Sequence, residues 1–149
     1  MHLFLLFLLL PPGLVAAETS ASITGQVIAV ESGNQLHLST QDGRQRIILL
    51  AHIEPPTTSH SANNARKLLQ TLVAGRFVTV IYSSLMPDGA LLGTLFHGGA
   101  EINLRMVQAG LARFVPDSTL DPAHARRYRQ AESRARQYGM GIWKSGRRR

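Results

Sequence analysis

The 149-residue chain has no cysteine, so its fold draws nothing from disulfides and it cannot carry a lipid on an N-terminal cysteine. Aromatic residues are scarce as well, with one Trp, three Tyr and five Phe. Few rings are at hand for stacking on nucleic-acid bases, and Phe77, Tyr82 and Phe96 fall in strand-like stretches where they serve a core equally well. No apolar run reaches the roughly 20 residues that a membrane-crossing helix needs. A zincin motif, a glycine-rich nucleotide loop and a nucleophile elbow are also missing, so nothing points to a metalloprotease, a dinucleotide enzyme or an α/β-hydrolase.

What is present begins with an apolar stretch, Leu3 to Leu10 (LFLLFLLL), followed by Pro11, Pro12 and LVAAE. This is the pattern of a secretory signal peptide over residues 1–17, with Val15 and Ala17 at a small-residue cleavage site and a mature chain from Glu18. The stretch before the apolar run holds His2 and no Lys or Arg, so a buried N-terminal strand or a misplaced start remains the other reading. The expectation is an exported protein, periplasmic or secreted. Its mature part of about 132 residues is enough for one domain that buries roughly two thirds of its unfolded surface. That domain is expected over 18–145, followed by a basic tail at 146–149, as a soluble monomer with no transmembrane segment.

The net charge of +7 is unevenly placed. Residues 126–149 carry nine Arg or Lys against Glu132 alone, whereas the first 125 residues carry seven bases and eight acids. Attraction for polyanions therefore belongs to the last helix and the tail. The candidate contacts are Arg126, Arg129, Arg136, Arg147, Arg148 and Arg149, with the three helical ones expected opposite the apolar stripe Tyr128, Ala131, Ala135 and Tyr138. A solvated helix face and a solubilising tail would read the same way.

Ile23 to Glu31 is rich in β-branched residues, Ser32-Gly33-Asn34 signals a turn, and Leu36, Leu38 and Thr40 alternate up to Asp42-Gly43, a hairpin dipeptide. Ile47 to Ile53 supplies a third strand. Ala65, Leu68, Leu69, Leu72 and Val73 recur at helical spacing, with Ser59 or Ser61 placed to cap the start and Gly75 to end it. Phe77 to Tyr82 and Leu91 to Phe96 read as two more strands around the Asp88-Gly89 turn. A short helix follows from about Ile102 to Ala109, and a last one opens at Asp121-Pro122 and closes at Gly139, with Trp143 packing back on the domain. Three strands, a helix and two strands give an α+β, mainly β chain: a five-stranded OB-type barrel with about three α-helices.

Five pieces in this order, IILLAHIEPP, ARKLLQTLVAG with RFVTV, INLRMVQAGLARF, and a final helix leading into GIW, resemble the staphylococcal nuclease (thermonuclease) family over essentially the whole mature chain. The resemblance implies a phosphodiesterase site: calcium held by two aspartates, a glutamate that orients or activates water, and two arginines on the phosphate and its transition state. Such a site needs oxygen ligands for a hard cation, a positioned base and fixed cations where charge develops.

Here the matching positions are Asn34 for the first aspartate, Leu49 for the first arginine, Glu54 for the second aspartate, Thr57 for the glutamate and Ala90 for the second arginine. Only Glu54 keeps a comparable charge. Arg46 stands three residues too early to replace Leu49. No catalytic residue is therefore expected, with Glu54 the one weak metal ligand and calcium the cofactor only if the metal site is retained. His52 and Glu54, two apart on one strand with His60 nearby, would hold a transition metal or simply line a solvated rim. His37 reads as an outward residue of the second strand. The sequence thus supports an exported nuclease-like pseudoenzyme that binds a polyanion such as nucleic acid or a protein partner. A calcium-dependent phosphodiesterase rearranged around Glu54, or a purely structural domain, stands as the alternative.

Overall fold

The computed structural model describes residues 20–144; the expected signal segment and Arg147, Arg148 and Arg149 lie outside the described residues. The barrel begins with β1 (Ala21–Val30), which turns at Ser32-Gly33-Asn34 into antiparallel β2 (Gln35–Thr40) and then β3 (Gln45–Leu50). β5 (Phe77–Leu85) pairs along the other side of β1, and β6 (Leu91–His97) returns beside β5. Parallel pairing of β6 with β3, Ile48 opposite Leu91 and Leu49 opposite Leu92, closes these five strands into a barrel. The alternation read from the sequence is the inside and outside of this barrel: Leu36, Leu38, Ile48, Val80 and Leu95 are fully buried.

Three helices cover the barrel. In α1 (Ser59–Val73), Ala65, Leu69 and Val73 recur every fourth residue and are fully buried against it, each of the two larger ones contributing roughly 2 kcal/mol of apolar burial. The expected serine cap is absent. Thr58 holds the capping position with no side-chain hydrogen bond, and Ser59 is already the first helical residue. α2 (Ile102–Gln108) and α3 (Pro122–Gln137) pack on each other. Asp121 caps α3 by accepting from the His124 N–H at 3.0 Å, as the Asp-Pro signal predicts.

Two differences from the sequence reading matter for the site. The third strand stops at Leu50. Ala51 and His52 then form a turn in which His52 takes φ of 62°, before the two-residue β4 (Ile53–Glu54) pairs with β8 (Arg113–Phe114). A buried asparagine holds that turn. Asn103 donates from Nδ2 to the Ala51 and Gly93 carbonyls at 3.0 and 3.1 Å and accepts from the Leu95 N–H at 3.0 Å. The second difference is a two-residue β7 (Ala100–Glu101), which runs straight into α2.

A seam near the C-terminal end of the described chain completes the fold. The Ile142 N–H donates to the Gly110 carbonyl at 2.9 Å. Gly110 and Gly141 meet backbone to backbone: a Cβ on Gly110 would sit 2.3 Å from the Met140 oxygen, and one on Gly141 would sit 2.2 Å from the Gly110 oxygen. Both have positive φ, so only glycine fits either position.

Candidate functional site

The positions that the family resemblance singles out can now be placed. Asn34 sits in the β1–β2 turn, which is wedged so tightly that a Cβ on Gly33 would lie 2.6 Å from the Ala65 methyl and 3.3 Å from Pro55. Its backbone carbonyl accepts from the Leu50 N–H at 2.8 Å, and its Oδ1 accepts from Ser32 Oγ at 2.9 Å. The amide oxygen is thus already engaged within the turn.

Leu49 lies half-buried on the outer face of β3 beside its ladder partner Leu92. Ala90 follows the Asp88-Gly89 turn, where its N–H donates to Asp88 Oδ1 at 3.0 Å, and its methyl is 0% exposed. The position that the resemblance matches to the second arginine is thus fully buried. Arg46 pairs with Leu38 in the ladder and lines a separate depression with Thr40 and Arg44, so it offers no substitute.

Glu54 and Thr57 line a cavity of about 430 Å³ together with Pro55, Pro56, Ser61 and Arg113. Arg113 stands opposite Glu54 in the β4–β8 ladder, yet the two form no ion pair among the described residues; the guanidinium lies 5.1 Å from the Trp143 ring centre. Arg113 was not legible as a site residue, since two-residue strands leave no alternation to read. Among the described residues it is the single cation lining this cavity.

His52 and Glu54 do not share a strand face, contrary to the sequence expectation, because the left-handed turn at His52 breaks the alternation. The two line different cavities. His52 faces a space of about 130 Å³ with Ser83, Ser84, Thr94, Asp117 and Thr119. Its Nδ1 lies 3.0 Å from Asp117 Oδ2, an electrostatic contact whose angles are not those of a hydrogen bond. Asp117 is held below the usual carboxylate range chiefly by the Thr119 hydroxyl, 2.5 Å from Oδ1, with His52 adding to the effect. His60 bonds to Asn64 within α1 at 3.2 Å.

The residues present do not fit calcium. A hard cation of this size takes six to eight oxygen ligands. Among the described residues this region offers one carboxylate, Glu54, with the neutral hydroxyls of Thr57, Thr58 and Ser61, a guanidinium from Arg113 and, in the β1–β2 turn, an amide oxygen already hydrogen-bonded to Ser32.

On α3 the three helical arginines separate. Arg126 is exposed and makes no ion pair among the described residues. Arg129 and Arg136 lie on the flank of the buried stripe rather than opposite it: Arg129 sits 6.0 Å from the Phe114 ring centre, and Arg136 lies 4.1 Å from that of Trp143 while bonding Glu132 at 3.1 Å. Tyr138, read as part of the stripe, is 73% exposed. Glu132 in turn accepts from the Phe114 N–H at 3.1 Å, which ties α3 to β8.

The best-satisfied polar group lies elsewhere. Glu101 is buried, and its carboxylate accepts from Tyr128 Oη at 2.5 Å and contacts His124 Nε2 at 2.8 and 3.0 Å, with Arg127 Nη1 at 3.5 Å. Burial and the Glu101 carboxylate push the Tyr128 hydroxyl far above its ordinary pKa, so it stays a donor. One acid between Ala100 and Ile102 gave no sequence signal of this role.

These features define a small α+β protein of the OB-like type, mainly β, with a closed five-stranded barrel and three helices. The family model for staphylococcal nuclease homologues matches residues 47–145, and the chain belongs to that family. It is 29% identical over 126 residues to an "Uncharacterized endonuclease" of Escherichia coli O157:H7, covering 83% of this chain and 78% of that protein. A protein of the same description from Haemophilus influenzae is 26% identical over 121 residues, with coverages of 80% and 66%.

Proposed function

We propose that this chain is an exported nuclease-fold module that does not hydrolyse phosphodiesters and that binds nucleic acid or another polyanion through the basic side of α3. The observation that carries the reading is the fate of the two arginine positions: Leu49 stands beside Leu92 on the outer face, and Ala90 is fully buried in the turn that leads into β6. A cleft without those cations lacks preorganised stabilisation worth about 3 kcal/mol or more per donor. Losses at metal, water and phosphate contacts act on one transition state, so residual activity is negligible rather than merely lowered. Export rests on the apolar run before Glu18, and a native mass that includes Met1 would overturn it.

A second reading draws on a specific observation. Glu54 and Arg113 line one cavity without pairing to each other, and the relatives named endonuclease suggest chemistry there. Incubating the purified protein with DNA and RNA in the presence of calcium separates the two. The expected result is no cleavage, with weak, sequence-insensitive binding whose salt dependence flattens by about two to three units when Arg126, Arg129 and Arg136 are changed together to Ala. Calcium-dependent cleavage abolished by Glu54→Ala would replace the first reading with the second.

A further inference from the structure

A groove of about 440 Å³ runs between α2 and α3, on a surface that includes no barrel strand. Its floor is Leu104 of α2 with Ala131 and Ala135 of α3, three buried apolar residues of which two are small. Arg127 and Arg134 stand on its rim, and Tyr138, largely open to solvent, and the partly exposed Met140 close one end. Arg127, Ala131, Arg134 and Tyr138 succeed one another at helical spacing, so the groove follows about three turns of α3, roughly 16 Å.

Charge separates this groove from the rest of α3. Among the described residues no carboxylate lines it. Arg134 makes no ion pair among the described residues, and Arg127 reaches Glu101 only at 3.5 Å with more than half its side chain exposed. Glu132, the acid within α3, points away to Phe114 and Arg136. Two guanidinium groups two helical turns apart thus flank an apolar floor that small side chains keep shallow enough for another backbone to approach. Tyr, Met and Arg are also the residue types enriched where proteins bind proteins.

We infer that this groove docks an acidic amphipathic helix of a partner protein, its apolar stripe on Leu104, Ala131 and Ala135 and its carboxylates facing Arg127 and Arg134. The floor favours a helix over a nucleic-acid strand. A strand would need a series of stacking platforms, and Tyr138 is the one aromatic ring in the groove among the described residues. This surface is separate from the flank that carries Arg129 and Arg136, so the inference stands or falls independently of polyanion binding there.

The test uses the isotopically labelled full chain and a synthetic helical peptide with leucine along one face and glutamates seven residues apart, alongside short oligo(dT). Amide shifts confined to Leu104, Gln108, Ala131 and Tyr138 on adding the peptide are expected. Arg134→Glu should weaken binding about tenfold, and a peptide with lysine at the facing positions should restore it to that variant. Tyr138→Ala, a change at an exposed site, should weaken binding while leaving the thermal midpoint unchanged. Absence of groove shifts at about 1 mM peptide, which places any affinity beyond the millimolar range, overturns the inference. So does an equal response of the same residues to oligo(dT).

Discussion

β6 joins two regions that treat charge in opposite ways. At its start, around Ala90, Leu91 and Leu92, the chain borders the positions where relatedness to staphylococcal nuclease leads one to look for cations and acids, and finds aliphatic groups, an engaged amide and a lone carboxylate. Just past its end, around Glu101, an acid is buried with three partners drawn from α3. A buried charge persists only when its partners are complete, because desolvation otherwise exceeds the Coulombic gain. Among the described residues the chain thus keeps a buried, multiply partnered acid where it fastens a helix, and leaves the cleft with one acid and one base that do not pair. The buried acid network and the positions of the family resemblance lie at different ends of the same strand.

The comparison can be broken most directly at Glu101. Replacing it by Ala leaves the buried Tyr128 hydroxyl without its acceptor and His124 and Arg127 without their partner, and should lower stability by about 3 kcal/mol in urea unfolding. A loss below about 1 kcal/mol would mean that the network only decorates an interface held by packing.

At the other end of β6, Ala90→Arg should cost about 2 kcal/mol, since a long side chain must be forced into a filled core or drag its turn outward. Leu49→Arg should cost less than about 1 kcal/mol, because a half-buried site on the outer face lets the guanidinium reach water. Equal costs would show that Ala90 is less closed than its contacts imply. The difference also shapes any attempt to rebuild a nuclease site here. Asn34→Asp, Leu49→Arg, Glu54→Asp and Thr57→Glu are tolerable changes, whereas the second arginine demands a remodelled β5–β6 turn.

The smallest effect is expected at Asp117. Its depressed pKa means that the contribution of its charge is fully present above the usual aspartate value of about 3.8 and is lost as pH falls through the lower value in the folded state. The stability gap between Asp117→Asn and the parent should accordingly shrink below that pH. A gap unchanged into acid would show that the Thr119 and His52 contacts do not act on the charged form.

The barrel and its helices were legible because each strand alternates, each turn carries Gly or Asp-Gly, and Asp121-Pro122 announces α3. What escaped were contacts made by segments too short to have a period. β4, β7 and β8 are two residues each, and they place Glu54 against Arg113 and carry Glu101 to α3. His52 in a left-handed turn is likewise invisible to alternation, which is why its expected pairing with Glu54 fails. Asn103, which no sequence pattern singles out, is the plug that holds the His52 turn to β6.

The seam between Gly110 and Gly141 has a consequence for the order of events in synthesis. All five barrel strands leave the ribosome before Gly141 does, so an emerging chain can pair strands while α3 still has no anchor at its far end. Domains settle as their parts become available, and here the part that locks α3 against α2 arrives last. Until then α3 has α2, β8 and Glu101 to rest on, and lacks only the backbone seam that fixes the segment following it.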